Sequence, residues 1–447
     1  MILFSQKTFN LTLLTFQEER CEWILKGNIL YTPRPSEFIS IPHGYIIAVD
    51  GVVVYCGESI PPAYAACEVT DYGDNLIIPG FVDTHAHAPQ YCNRGLGMDK
   101  ELLPWLETYT FPEEAKFSDQ EYARLVYGAF VRDLWRNGTT RSILFGTIHK
   151  DSTLVLMELL QKAGLSAYVG KVNMDRNSPE FLIEETQQSL IDTKDWLDVS
   201  SQYGPLVKPI ITPRFVPSCT SELMSGLGRL AEEYNVPIQS HLSENHGEIN
   251  WVASLHPESP NYTDVYYEHR LMGQVPTVMA HCIHLSDVEM DRMAETQTMV
   301  SHCPYSNVNL SSGIAPIRKL MKRNIPIGLG SDISGGHIVS MAKVLTEAIG
   351  LSKMKWVEVD ETYAPLTLSE AFYMATKGGG KFFGKVGSFE KGCDLDALII
   401  DDTSLFDPNE RTLEERLERW LYVGDDRHIV ERYVAGQVLP NPQGFQG

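Results

Sequence analysis

Eight short apolar runs, separated for the most part by longer amphipathic stretches, restrict the folds open to this chain. They are "LIIPGFVDTH" (76–85), "TTRSILFGTIH" (139–149), "SAYVGKVNM" (166–174), "VKPIITPRF" (207–215), "VPIQSHLSE" (236–244), "TVMAHCIH" (277–284), "TMVSHCPYS" (298–306) and "IPIGLGSD" (325–332). Stretches such as "DQEYARLVYGAFVRDLWRNG" (119–138) and "SELMSGLGRLAEEYN" (221–235) carry helical periodicity between them. Strand–helix alternation of this kind predicts a (β/α)8 barrel of the TIM type within the α/β class. An open doubly wound sheet is the structural rival, but no Gly-rich nucleotide loop follows the first run. Before the alternation lie short strand-like runs, "CEWILKGNILYT", "GYIIAVD" and "GVVVYCGE". After helices around 340–385 come two more, "GCDLDALIIDD" and "HIVERYVAGQVL". The expected division is therefore 77–385 for the barrel, with 1–76 and 386–447 as the two parts of a small β-sandwich domain.

The ends of the runs carry the chemistry. Residues two apart on a strand share a face, so His85 and His87 converge where the first run closes. Pro79 and Gly80 interrupt that run and allow a bend. The fifth run ends with His241 and Glu244, the sixth carries His281, and the eighth ends in Asp332. Active sites of (β/α)8 barrels form at the carboxyl ends of the strands. His85, His87, His241 and Asp332 can thus be four ligands of one divalent ion. Three imidazoles and a carboxylate suit zinc, with iron as an alternative. Such an ion lowers the pKa of water towards ~7. Lys208 stands at the start of the fourth run, away from these ends, so a single metal per chain is expected.

Lysine plus arginine total 37 against 58 aspartates and glutamates, a formal charge of −21. That surface repels nucleic acids and anionic membranes and leaves a small-molecule substrate as the expected partner. No stretch approaches the ~20 apolar residues of a membrane span. The opening "MILFSQKTFNLTLLTF" lacks the layout of a secretory signal. Eight scattered cysteines (Cys21, Cys56, Cys67, Cys92, Cys219, Cys282, Cys303 and Cys393) include no C-x-x-C pair. They read as reduced thiols of a cytoplasmic protein and exclude thiolate zinc knuckles. The small zinc deaminases with H-x-E and P-C-x-x-C elements are excluded on the same ground.

"PGFVDTHAHAPQY" (79–91), "LPWLETYTFPEE" (103–114), "TPRF" (212–215), "QSHLSEN" (239–245), "VMAH" (278–281), "HCPYSNVNLSSG" (302–313), "IGLGSD" (327–332) and "YVGDDR" (422–427) together resemble the amidohydrolase superfamily, and within it the guanine deaminases. The likeness spans most of residues 20–440. It implies a hydrolase acting on the C–N bond of a cyclic amidine, converting guanine to xanthine and ammonia in purine catabolism. It also implies a homodimer. Carried over by position, His85, His87, His241 and Asp332 hold zinc. Gln90, Arg214, Phe215, His241, Glu244 and His281 contact the purine. Glu244, Asp332 and His281 are the catalytic groups: Asp332 takes a proton from the metal-activated water, Glu244 protonates the ring nitrogen beside carbon 2, and His281 steadies the water. His149 and His302 also sit at strand ends, where bonding behind the ligands is the expected role. The aromatic "LPWLETYTF" stretch either packs as core or covers the pocket. The rival function is an aminohydrolase of another purine, a pterin or a triazine. A non-catalytic scaffold that kept the barrel is the third reading; the four intact ligand positions argue against it.

Overall fold

The computed structural model describes residues 23–442. The reading of the first sixteen residues as lacking a secretory signal, and Cys21, lie outside the described residues.

Two four-stranded parallel sheets form the centre. One contains Phe81–His87, Thr139–Phe145, Ser166–Gly170 and Val207–Pro209. The other contains Ile238–Leu242, Thr277–His281, Met299–His302 and Ile327–Leu329. A bridge from Ile211 to Ile238 joins them on one side. On the other, Asp332 N–H donates to His85 O at 2.8 Å and His87 N–H to Ile333 O at 2.8 Å. All eight apolar runs thus contribute parallel strands. Each residue of Phe81–His87 and of Thr139–Phe145 is buried. Burial on both faces is why these strands read as continuous apolar runs without polar alternation.

Helices occupy the intervals, and their ends follow from local chemistry. Asp119 caps Gln120–Arg136 by accepting from Glu121 N at 2.9 Å. Lys150–Ala163 stops at Gly164, whose φ of +71° is open to glycine at no steric cost. Ser286 and Glu289 form a reciprocal capping box at the start of Asp287–Thr296.

Strands from both ends of the described chain share one seven-stranded sheet. Its order runs Gln437–Val438, Ile429–Val434, Ala397–Ile400, Val69–Pro79, Trp23–Arg34, Glu37–Val49, Val52–Gly57. Leu25, Ile29, Ile46, Ile77, Ala397 and Ile399 form part of a core of its own. Arg141, buried in the second parallel strand, bonds Asp396 at 2.6 Å and Asp394 at 2.8 Å, fastening this sheet to the centre.

Several runs divide where a single strand was expected. In 76–85 the break falls at Gly80: Leu76–Pro79 pair with Ala397–Ile400, while Phe81 onward pairs with Thr139–Phe145. A Cβ on Gly80 would lie 2.3 Å from Thr140 Oγ1, so only glycine fits the crossing. The runs 166–174 and 207–215 also split, leaving Val172–Asn173 paired with Thr212–Pro213 in a separate ladder. In 298–306 the strand ends at His302 and a helix begins at Pro304. Among the described residues, no helix is long and apolar enough to cross a membrane, and Cys56, Cys67, Cys92, Cys219, Cys282, Cys303 and Cys393 are free thiols.

Candidate active site

His85 and His87 are set by the closing strand and by Asp83 behind it. Asp83, fully buried, accepts from His85 N at 3.1 Å, Ser331 N at 3.0 Å and Ser331 Oγ at 2.5 Å. One carboxylate therefore fixes the main chain of both segments that carry candidate ligands. Burial pushes its own pKa up to about 7, against the lowering effect of the Ser331 bonds.

The imidazoles turn their Nε2 atoms inward. His241 Nδ1–H donates to Arg214 O at 2.6 Å, which leaves Nε2 with its lone pair exposed to the cluster. His87 Nε2 lies 3.0 Å from it. His85 Nε2 is buried with no hydrogen-bond partner and stands 3.2 Å from Asp332 Oδ1; His87 Nε2 is 3.6 Å from the same oxygen. Burial and mutual repulsion hold His87 and His241 well below the usual histidine range, so both are neutral lone-pair donors at neutral pH. Asp332 is buried, which disfavours its charge, but His85 and the other imidazoles outweigh this and hold it well below the usual carboxylate range. An orphaned Nε2 among neutral imidazoles and an ionised carboxylate is a donor set that fits a divalent metal. Among the described residues two metal-competent groups emerge, His85–His87–His241 and His85–His281–Asp332, sharing His85.

His281 joins the second group although the sequence reading gave it another role. Its Nδ1 pairs with Asn307 Oδ1 at 3.0 Å, and its Nε2 faces Glu244 Oε2 at 3.4 Å and Asp332 Oδ2 at 3.8 Å. Burial pulls its pKa down, but the two carboxylates overcome that and raise it. Glu244 is 3% exposed, and desolvation pushes its pKa up to about 7. Ser312 Oγ donates to Glu244 Oε1 at 3.0 Å. His281 and Asp332 both have positive φ, +68° and +47°, strained conformations of the kind that collect at functional sites.

One cleft of about 440 Å³, mouth included, joins this cluster to Gln90, Arg214 and Phe215. Arg214 Nη1 donates to Glu114 Oε2 at 2.6 Å, and Gln90 Nε2 to Glu114 Oε1 at 2.8 Å. Trp105 and Leu106, from the aromatic stretch, and Leu102 just before it wall the cleft and also pack in a local core with Phe111, so that stretch does both things expected of it. His302 lines a different cleft with Ile314 and Lys355, and burial lowers its pKa to about 3. His149 precedes the helix Lys150–Ala163 and does not line the site. Sequence reasoning missed Asp83, Glu114, Asn307 and Ser312 as parts of the site. Each stands inside a stretch quoted above, but no spacing rule marks a residue that acts through another.

The amidohydrolase family model matches residues 76–439. The chain belongs to the amidohydrolase family. Its amidohydrolase relatives include guanine deaminase of Dictyostelium discoideum, 47% identical over 379 residues, covering 83% of this chain and 84% of that one. The Escherichia coli (strain K12) guanine deaminase is 36% identical over 425 residues, covering 91% and 94%. Among solved structures, guanine deaminase from C. acetobutylicum with bound guanine in the active site superposes with a TM-score of 0.92 at 51% identity, covering 94% of this chain and 100% of that one. A zinc-bound adenosine deaminase from Xanthomonas campestris, at 21% identity and a TM-score of 0.80, shares the amidohydrolase fold.

Proposed function

We propose that this chain hydrolyses guanine to xanthine and ammonia. One observation carries the reading: a cleft lined by His87, His241 and Asp332, with His85 close enough to join the two histidines on one ion, also presents Arg214 and Gln90, in a chain 51% identical to a guanine deaminase with guanine bound. His85, His87, His241 and Asp332 would hold one zinc ion, which supplies Lewis acidity and makes water acidic enough to lose a proton near neutral pH. The frame is a (β/α)8 barrel over 77–385, with 1–76 and 386–447 as the small β-sandwich domain. Support comes from the Ile211–Ile238 bridge and the Asp332–His85 bond, which link the two parallel sheets at both sides.

The chain's own groups divide the proton work. Asp332, kept ionised, accepts the proton of the attacking water at a carboxylate oxygen. Glu244, whose raised pKa lets it hold a proton near pH 7, delivers it to the ring nitrogen beside carbon 2. His281 Nε2, between the two carboxylates, steadies the water. Arg214 donates to the oxo group at carbon 6. Gln90 reads the neighbouring ring edge, and Phe215 packs on the purine. Once carbon 2 is tetrahedral, the proton held by Asp332 passes to its amine, which leaves as ammonia, and Glu244 takes up the hydroxyl proton as the carbon-2 oxo group forms.

The test is ammonia release from a panel of guanine, adenine, pterins and triazines, with metal content measured on the same sample. Guanine should be turned over, with about one zinc per chain, and His85→Ala should lose both metal and activity. Full activity in a metal-free preparation, or preference for a pterin or triazine, sinks the reading. The homodimer and the cytoplasm are proposed on the resemblance to guanine deaminases; sedimentation at twice the chain mass tests the first.

A pH prediction arises from Ser312. An acid must be protonated to act, so kcat/KM should fall as pH rises through about 7, the pKa of Glu244. The Ser312 hydroxyl stabilises the carboxylate and so holds that pKa down. Ser312→Ala should therefore move the alkaline limb to higher pH. A limb that does not move belongs to some other group.

A further inference from the structure

We infer that Glu114 is the specificity-positioning residue of the pocket: it does not line the cleft but sets, from behind, the direction of both groups that read the purine edge. The inference rests on the guanine reading above. Glu114 ends the short helix Phe111–Glu114 and is 1% exposed. Its two carboxylate oxygens are divided between two partners, Oε1 to Gln90 Nε2 at 2.8 Å and Oε2 to Arg214 Nη1 at 2.6 Å. Gln90 and Arg214 face the cleft.

A carboxylate accepts and cannot donate, so it admits only one orientation of the Gln90 amide. One hydrogen of Gln90 Nε2 is committed to Glu114, and Oε1 is turned to Ser334, whose N–H and hydroxyl donate at 3.3 and 3.5 Å. The Ser334 hydroxyl is a rotor that can turn away, so Oε1 faces a ligand N–H as an acceptor. Arg214 has Nη1 committed and keeps the other donors of its fork, while its guanidinium sits 5.3 Å from the Phe111 ring centroid. The pair then presents one acceptor and one charged donor set. That is the complement of an N–H beside a C=O, the lactam edge at positions 1 and 6 of guanine. It is not the complement of 2-aminopurine, which has a bare ring nitrogen and a C–H there.

The two substrates provide the test, with Glu114→Gln and Glu114→Asp. The amide of Glu114→Gln places its own NH₂ against one of two donors. This turns Gln90 over or releases Arg214. Glu114→Asp keeps the charge that Arg214 needs for folding, but its shorter side chain cannot reach both partners. In both variants the KM for guanine should rise by about 10- to 10²-fold, the worth of one charge-assisted hydrogen bond, with kcat little changed. Turnover of 2-aminopurine, which uses neither contact, should stay within a few-fold. Metal content and melting temperature are measured alongside. If Glu114→Asp leaves the guanine KM unchanged, or if both substrates lose equally, Glu114 is only a structural ion-pair partner and the inference is wrong. The reading beneath it fails differently: the wild-type protein then releases no ammonia from guanine, and the inference falls with it.

Discussion

Glu244→Gln should lower guanine turnover by ~10²–10⁴-fold while the metal stays bound. The substitution keeps the size of the side chain and can keep the acceptor for Ser312 Oγ, now 3.0 Å from Glu244 Oε1. What it removes is a group that takes and gives a proton near neutral pH. Glu248 lines the same cleft and burial raises its pKa too, but its oxygens are engaged as acceptors, Oε2 from the N–H groups of Glu244 and Asn245 and Oε1 from Tyr262 Oη. Asp332 is held well below the carboxylate range and faces His85, so it stays a base. His281 sits 3.4 Å from Glu244 Oε2, but its Nδ1 is tied to Asn307, and its raised pKa depends first on the charge of Glu244 itself. The loss should fall on kcat, because Glu244 is worth most as the ring nitrogen gains its proton. Stopped-assay turnover together with metal analysis checks both halves. Near-normal turnover would show that His281 or solvent moves the protons.

The parts of this site that were legible in the sequence are those that periodicity constrains. His85 and His87 must share a face because strand side chains alternate, and His241 and Asp332 fall at the ends of apolar runs that could be read as strands. The eight parallel strands were legible for the same reason: burial on both faces leaves an unbroken apolar signature, as in Thr139–Phe145. Their limits were not. Gly80 divides one apolar run between two sheets, and hydrophobicity is blind to such a division because both halves are buried. Pairing between the two ends of the chain was inferred from strand content, yet the register, Ala397 opposite Pro79, depends on contacts more than three hundred residues apart in sequence. Asp83 and Glu114 were invisible for a further reason. A buried carboxylate that orders other groups looks, in sequence, like any acidic residue near a turn or helix. Its role exists only once Ser331, Gln90 or Arg214 has been brought to it.

Arg214 carries the largest expected change in substrate preference. Guanine offers an oxo acceptor at carbon 6; adenine offers an amine there, and 2-aminopurine only a hydrogen. Arginine has donors and no acceptor, so it can satisfy the oxo group and cannot satisfy an amine. Arg214 is 3% exposed, and in so dry a place an unanswered donor is costly. Sites built around such a bond reject a substrate lacking it by ~10⁴ or more, so adenine should be scarcely touched and 2-aminopurine should be poor. Removing the arginine reverses the order of costs. Arg214→Ala abolishes the bond to the oxo group and leaves guanine only the Gln90 contact to favour it over 2-aminopurine at this edge of the pocket. The variant also strands Glu114, whose bond to Arg214 Nη1 is 2.6 Å long and buried at both ends, and breaking such a pair costs about 3–5 kcal/mol of stability. Arg214→Lys separates the two effects, because it keeps a cation for Glu114 but loses the planar fork. With both variants folded and metal-loaded, the ratio of guanine to 2-aminopurine kcat/KM should collapse in Arg214→Ala to the part that Gln90 alone supports, and fall part of the way in Arg214→Lys. A ratio that holds in both would place the reading of the oxo group on another donor in the cleft.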